Sequence, residues 1–179
     1  MSPSQSGTTR SRSARVLIAG ALAAALSAPL GAQPALGAAV AGLPVPMPAV
    51  PKAADLVRFE FNTTSRHHFA VDPASMLLRG NEMLQLTIVV TSSGGAINTS
   101  YEAFNCQNGT RRLLAVASLD GSWQPVENSQ WVTARGAGLV LGQHYAIYKA
   151  ACTGGGLSGD RAVILRRLVN PPNDIYQSQ

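Results

Sequence analysis

The chain has 179 residues, 46% of them hydrophobic and only 13% charged, with two cysteines and a formal charge of +5. That length fits one domain with a single core plus flanking segments. Three of the 14 basic residues fall in the first 37 positions, leaving 11 against nine acidic ones; the remainder is +2 with its basic residues dispersed, which excludes the basic stripe with interleaved aromatics of a nucleic-acid binder.

Arg10, Arg12 and Arg15 have no acidic neighbour and precede a 13-residue apolar run, 16–28, that Pro29 closes. This is the layout of a secretory signal peptide, and the run is shorter than the about 20 apolar residues of a membrane span. Ala35-Leu36-Gly37 before Ala38 puts small residues at the -3 and -1 positions, so the expected signal is 1–37, within a window from Ala32 to Ala39. An uncleaved anchor stays open as an alternative, because no charge occurs between Val16 and Val50, although Pro29 and Pro34 oppose a continuous helix. No cysteine is available here for a lipoprotein anchor, and the lack of an Arg-Arg pair favours general secretion over the twin-arginine route. The domain is expected to be delivered across a membrane, with membrane contact only through the signal if it stays attached. Residues 38–54 carry prolines at 44, 46, 48 and 51 and read as a semi-rigid extended spacer, with a proline-rich ligand for a partner's groove as the alternative.

From residue 55 the pattern is that of a folded domain reaching to 170, followed by a tail, 171–179. Residues 57–61 alternate apolar and charged side chains as a half-buried strand does, and 69–72 read as a short extended piece ended by Pro73. Residues 83–91 are the clearest strand, followed by a Ser-Ser-Gly-Gly turn. Two further strands, 97–106 and 111–119, flank Asn108-Gly109, a strong hairpin signal, and Asp120-Gly121 marks the next reversal. Residues 143–151 read as a helix that Gly154-Gly155-Gly156 breaks, and 160–169 as a second helix with Asp160 at its N-cap. Strands joined by short turns pair antiparallel, so the domain is expected to be α+β: an antiparallel β-meander with two short C-terminal helices packed on it. Cys106 and Cys152 are an even count in an exported chain and are read as one disulfide. Neither has a second ligand at metal spacing.

Several blocks carry a family likeness. They are Phe69-Ala70-Val71-Asp72-Pro73-Ala74-Ser75-Met76-Leu77, the strand 86–92, and Gly95-Ala96-Ile97-Asn98-Thr99-Ser100-Tyr101-Glu102 with Cys106. Asp120-Gly121-Ser122-Trp123, Trp131 and the segment 148–152 follow. In their order and spacing the chain resembles the CNP1-like family, small exported proteins of Gram-negative bacteria, over roughly residues 56–170. It departs from the family's habit at Arg79-Gly80-Asn81-Glu82, where an Asp-Gly turn is usual, and at Ala103 and Asn105. The resemblance implies an exported domain of the same kind, with the periplasm of a Gram-negative bacterium as its expected location, and transfers no catalytic residue, because the family has no settled activity.

Alternation on the strand 97–106 puts Asn98, Ser100, Glu102, Phe104 and Cys106 on one face. Glu102 is thereby drawn inward and needs a partner. One reading makes Asn98, Ser100 and Glu102 a ligand-binding patch, with Asp72 and Trp123 nearby; the other is an internal salt bridge from Glu102 to Arg112 or Arg58. His67 and His68 lie in a polar stretch and point apart on an extended backbone, so they do not chelate a metal readily. His144 could serve a hydrolase as base, yet no Gly-x-Ser-x-Gly elbow accompanies it. The glycine-rich run 154–159 lacks the Gly-Lys-Ser/Thr ending of a phosphate loop and reads as a flexible connector. Asn62, Asn98 and Asn108 begin sequons that read as accidental.

No catalytic set, metal site or cofactor motif is legible. The expected function is therefore a binding or accessory role towards an envelope partner or small ligand. An envelope hydrolase or transferase using Glu102, Asp72 or His144, and a structural assembly component with an apolar patch around Trp123 and Trp131, stay open beside it.

Overall fold

The computed structural model describes residues 46–60, 65–134 and 142–172. The expected signal, Asn62 and all but the first two residues of the C-terminal tail lie outside the described residues.

Strands β1 (Val57–Phe59), β2 (His68–Arg79), β3 (Met83–Thr91), β4 (Ile97–Asn105), β5 (Thr110–Ala117) and β6 (Trp123–Pro125) form an antiparallel meander in chain order, and β7 (Val132–Thr133) pairs beside β6 on β5. Helix α1 (Gly142–Ala151) runs into a small hairpin of β8 (Cys152–Thr153) and β9 (Gly156–Leu157), and α2 (Arg161–Val169) completes the domain. The described residues therefore have the α+β architecture, an antiparallel meander with two α-helices and one disulfide. Asp160 caps α2, its carboxylate accepting from the Val163 N–H at 2.9 Å.

Alternation sorts the sheet into two faces. On one, Phe59, Phe69, Val71, Leu84, Leu86, Ile88 and Phe104 join the main core with Ala146, Ile147 and Ala150 of α1 and Ile164 and Leu168 of α2. On the other, Tyr101, Ala103, Leu114 and Ala115 form a second, smaller cluster under Met47 and Trp123. The Trp123 indole N–H donates to the Pro48 carbonyl at 2.7 Å. Over its described part, the segment read as a spacer is thus docked on the sheet, and it ends in a 3-10 turn, Ala53–Asp55.

Two further expectations are corrected. The second strand does not stop at Pro73 but continues to Arg79, because a bulge absorbs the proline: Pro73, Ala74, Ser75 and Met76 stand opposite Leu86 alone. Side chains replace the lost ladder there. The Ala74 N–H donates to the Asp72 carboxylate at 2.9 Å, the Ser75 hydroxyl donates to the Asp72 carbonyl at 2.7 Å, and its oxygen accepts from the Thr87 N–H at 2.8 Å. The glycine run is a tight hairpin turn, not a loose connector. Gly154 and Gly155 take φ of 60° and 84°, the left-handed pair that a two-residue turn between β8 and β9 requires.

The Cys106–Cys152 disulfide joins the residue after β4 to the residue after α1, with Cα atoms 5.2 Å apart across a sequence separation of 46. By loop-closure entropy such a bridge contributes about 4 kcal/mol.

Candidate functional site

The helix-side face of β4 becomes progressively drier along the strand: Asn98 is exposed, Ser100 half-buried, Glu102 4% exposed and Phe104 fully buried. The same gradient runs across the sheet. One cross-strand row reads Val57, Val71, Ile88, Ser100, Val116, Gln124; it starts in the core under the helices and ends at Val116 and Gln124 in solvent. Glu102 therefore sits where the covered part of this face meets the open part.

Three donors converge on its carboxylate. The Ser100 hydroxyl donates to Oε1 at 2.8 Å, His144 Nε2 lies 3.2 Å from the same oxygen, and Arg111 Nη1 lies 3.1 Å from Oε2. The internal ion pair expected for Glu102 exists, but its cation is neither Arg112 nor Arg58. Arg112 pairs with Ala103 and Arg58 with Ala70, which places both on the opposite face, whereas Arg111 pairs with Phe104 and lands diagonally beside Glu102. Burial by itself pushes the Glu102 carboxyl up. The hydrogen bond and charge of His144, the charge of Arg111 and the Ser100 hydroxyl outweigh that and hold it below its ordinary value of 4.5.

The chemistry available to this cluster follows from where its atoms point. A nucleophilic site needs an imidazole with one nitrogen on a carboxylate and the other on a hydroxyl or thiol. Here, among the described residues, the buried His144 Nδ1 has no hydrogen-bond partner, its ring rests 6.3 Å from the Phe104 ring, and the Ser100 hydroxyl is spent on the carboxylate itself. The arrangement fastens α1 to the sheet through a contact between the His144 ring and the Glu102 carboxylate. Among the described residues no hydroxyl or thiol stands at Nδ1 to be activated.

The residues singled out from the sequence are divided by the sheet. Asn98, Ser100 and Glu102 share the helix-side face. Asp72 pairs through Thr87 with Tyr101 and lies on the opposite face, where its carboxylate closes the bulge of β2. Trp123 is on that opposite face too, its ring centroid 6.1 Å from that of Tyr101. Burial there raises the Tyr101 phenol to about 12, with Arg79 opposing, and the phenol donates to Gln85 Oε1 at 3.4 Å. Trp131 and Val132 are 38% and 44% exposed, and Val116 is 40% exposed, so apolar surface does occur along the β5 edge. His67 and His68 are exposed, and among the described residues no three His, Cys, Asp or Glu side chains converge as a metal site would need.

Arg111 was legible in principle and was missed; Val116 was not legible, because a bulge between Tyr101 and Glu102 shifts the register of β5 by one residue before it reaches Ser100. The Asn-Gly turn sets the pairing of Asn105 with Thr110, and counting back from it puts Arg111 opposite Phe104. No local signal links His144 to Glu102, because the contact spans 42 residues and depends on how α1 packs.

A match to the model of the CNP1-like family covers residues 40–169, and the chain belongs to that family. The matched region includes the docked segment that carries Met47 and Pro48. No curated protein and no solved structure matches the chain. None of the described helices is long and apolar enough to cross a membrane.

Proposed function

We propose that this CNP1-like protein is an exported, periplasmic or envelope-associated domain that works by binding or as an accessory, and that the open shoulder of the helix-side face, Asn98 and Ser100 beside Val116, is where a partner rests. The observation that carries this reading is the closure of the Glu102 cluster: among the described residues these convergent ionisable groups are consumed by contacts within the chain, Ser100 included, while the side chains of Asn98 and Val116 next to it stay exposed. Export rests on the arginine-led apolar segment at the start of the sequence.

The test is cross-linking of the tagged protein in its native host, followed by identification of what is attached and N-terminal sequencing of the protein. A reproducible envelope protein or cell-wall fragment, lost with Asn98→Arg and retained with Arg161→Glu, supports the reading, as does a new N-terminus near Ala38. Equal capture by both variants removes the shoulder from the proposal, and an unprocessed cytoplasmic protein removes export.

A second reading, an envelope hydrolase or transferase, is favoured by one observation: Glu102 and His144 stand 3.2 Å apart. It requires the cluster to open towards a substrate. Activity against envelope substrates that disappears in both Glu102→Gln and His144→Gln, with folding intact, would establish it over the binding role.

A further inference from the structure

We infer that the opposite face of the sheet holds a binding site for a small amphiphilic anion, a carboxylate on a short apolar chain, at the corner made by β1 to β4. A cavity of about 230 Å³ lies there. Its floor is built from two neighbouring cross-strand rows. The first is Arg58, Ala70, Val89 and Thr99; the second is His68, Thr91 and Ile97. Its wall is the end of the docked N-terminal segment, Pro51, Ala53 and Leu56.

The chemistry of the lining selects the ligand. Small-molecule sites are mostly apolar, with a few placed polar groups that fix orientation. Here Ala70, Val89, Leu56 and Ile97, the last 66% exposed, supply the apolar part, which disfavours a compact hydrated anion such as phosphate. Arg58 supplies a forked set of N–H donors that matches a carboxylate, and the hydroxyls of Thr91 and Thr99 add single donors. Among the described residues Arg58 makes no ion pair, and no carboxylate lines the cavity; Asp55 belongs to the adjacent 3-10 turn but is not part of the lining. The volume lies below the roughly 300 Å³ at which pockets begin to enclose drug-sized molecules, so the occupant is a short chain. The site goes beyond the partner proposed above, because it lies on the other side of the sheet from Asn98 and Glu102.

The experiment is a titration of the isotope-labelled mature protein with octanoate, 1-octanol and acetate, followed through backbone amide resonances. Octanoate should shift the amides of Ala70, Thr91 and Thr99 saturably, octanol should bind at least about fivefold more weakly, and acetate should leave them unmoved. Arg58→Gln, a change on an exposed side chain, should weaken octanoate about tenfold, the worth of one charge-assisted contact, and leave octanol unchanged. Ile97→Asp should weaken both. The proposal is overturned by the absence of saturable shifts at those amides, by equal affinity for octanoate and octanol in the parent protein, or by an Arg58→Gln variant that binds octanoate as the parent does. A partner captured through Asn98 without any octanoate effect would overturn this site and leave the proposal for the other face standing.

Discussion

His144 Nε2 and Glu102 Oε1 stand 3.2 Å apart although 42 residues separate them in the chain, so the start of α1 is held to the middle of β4 by a polar contact to a carboxylate and not by apolar packing alone. Removing one partner of a buried ion pair leaves the other desolvated and unpaired. Glu102→Gln preserves shape and volume but leaves Arg111 and His144 against a neutral amide. The expected loss is about 3 kcal/mol, read as a lower urea midpoint at unchanged slope. A shift too small to measure would show that Arg111, whose side chain is 17% exposed, is adequately served by water.

The same cluster sets a pH dependence. Glu102 is held below its ordinary 4.5 in the folded protein, so the folded state binds its proton less readily than the unfolded state does. Its contribution to stability is therefore complete above about that ordinary value, and it declines as pH falls towards and through the lowered folded value. Urea midpoints measured from neutral pH downward should drop more steeply for the parent protein than for Glu102→Gln in the acid range. Parallel curves would mean that other carboxylates carry the acid sensitivity.

How much of this was legible depends on whether the determining contact is local. The hairpin at Asn108-Gly109, the strand 83–91 and the cap at Asp160 follow from short-range chemistry, and the structure has each of them; the disulfide, though it spans 46 residues, was legible because two cysteines allow only one pairing. The end placed at Pro73 failed because a proline only stops a strand where the ladder needs its N–H, and the Asp72 and Ser75 side chains remove that need. Alternation correctly grouped Asn98, Ser100 and Glu102. It could say nothing of Asp72 and Trp123, whose faces depend on register across four strand pairings. Composition makes 38–54 read as a tether, and does not distinguish that from the docking seen at Met47 and Pro48 in its described part, since prolines are shared by tethers and by extended segments that dock on aromatics.

Docking of that segment depends on one hydrogen bond, from the Trp123 indole to the Pro48 carbonyl, plus the contact of Met47 with the cluster around Tyr101. Trp123→Phe keeps most of the ring and deletes the donor. It should cost about 1 kcal/mol of global stability and expose the segment, so that trypsin cuts after Lys52 about fivefold faster while the rest of the domain resists. Unchanged cleavage would show that Met47 and Pro48 hold the segment without the indole.

Helix α1 is anchored at both ends to one face of β4: His144, its third residue, meets Glu102, and Cys152, just past its last residue, is bonded to Cys106. Each anchor limits how far the helix can move when the other is cut, so the two should not contribute independently. Replacing both cysteines by alanine should cost about 4 kcal/mol by the loop-entropy argument, with reductant giving the same loss in the parent protein. Adding Glu102→Gln to that background should cost a different amount than in the bridged protein, with a coupling of roughly 1 kcal/mol. Its sign is informative. A smaller cost in the unbridged protein means that α1 has already drifted and the His144 contact is loosened, so the bridge positions that contact. A larger cost means that the His144–Glu102 contact alone was holding the helix, and strict additivity would sink the idea that the two anchors act through α1.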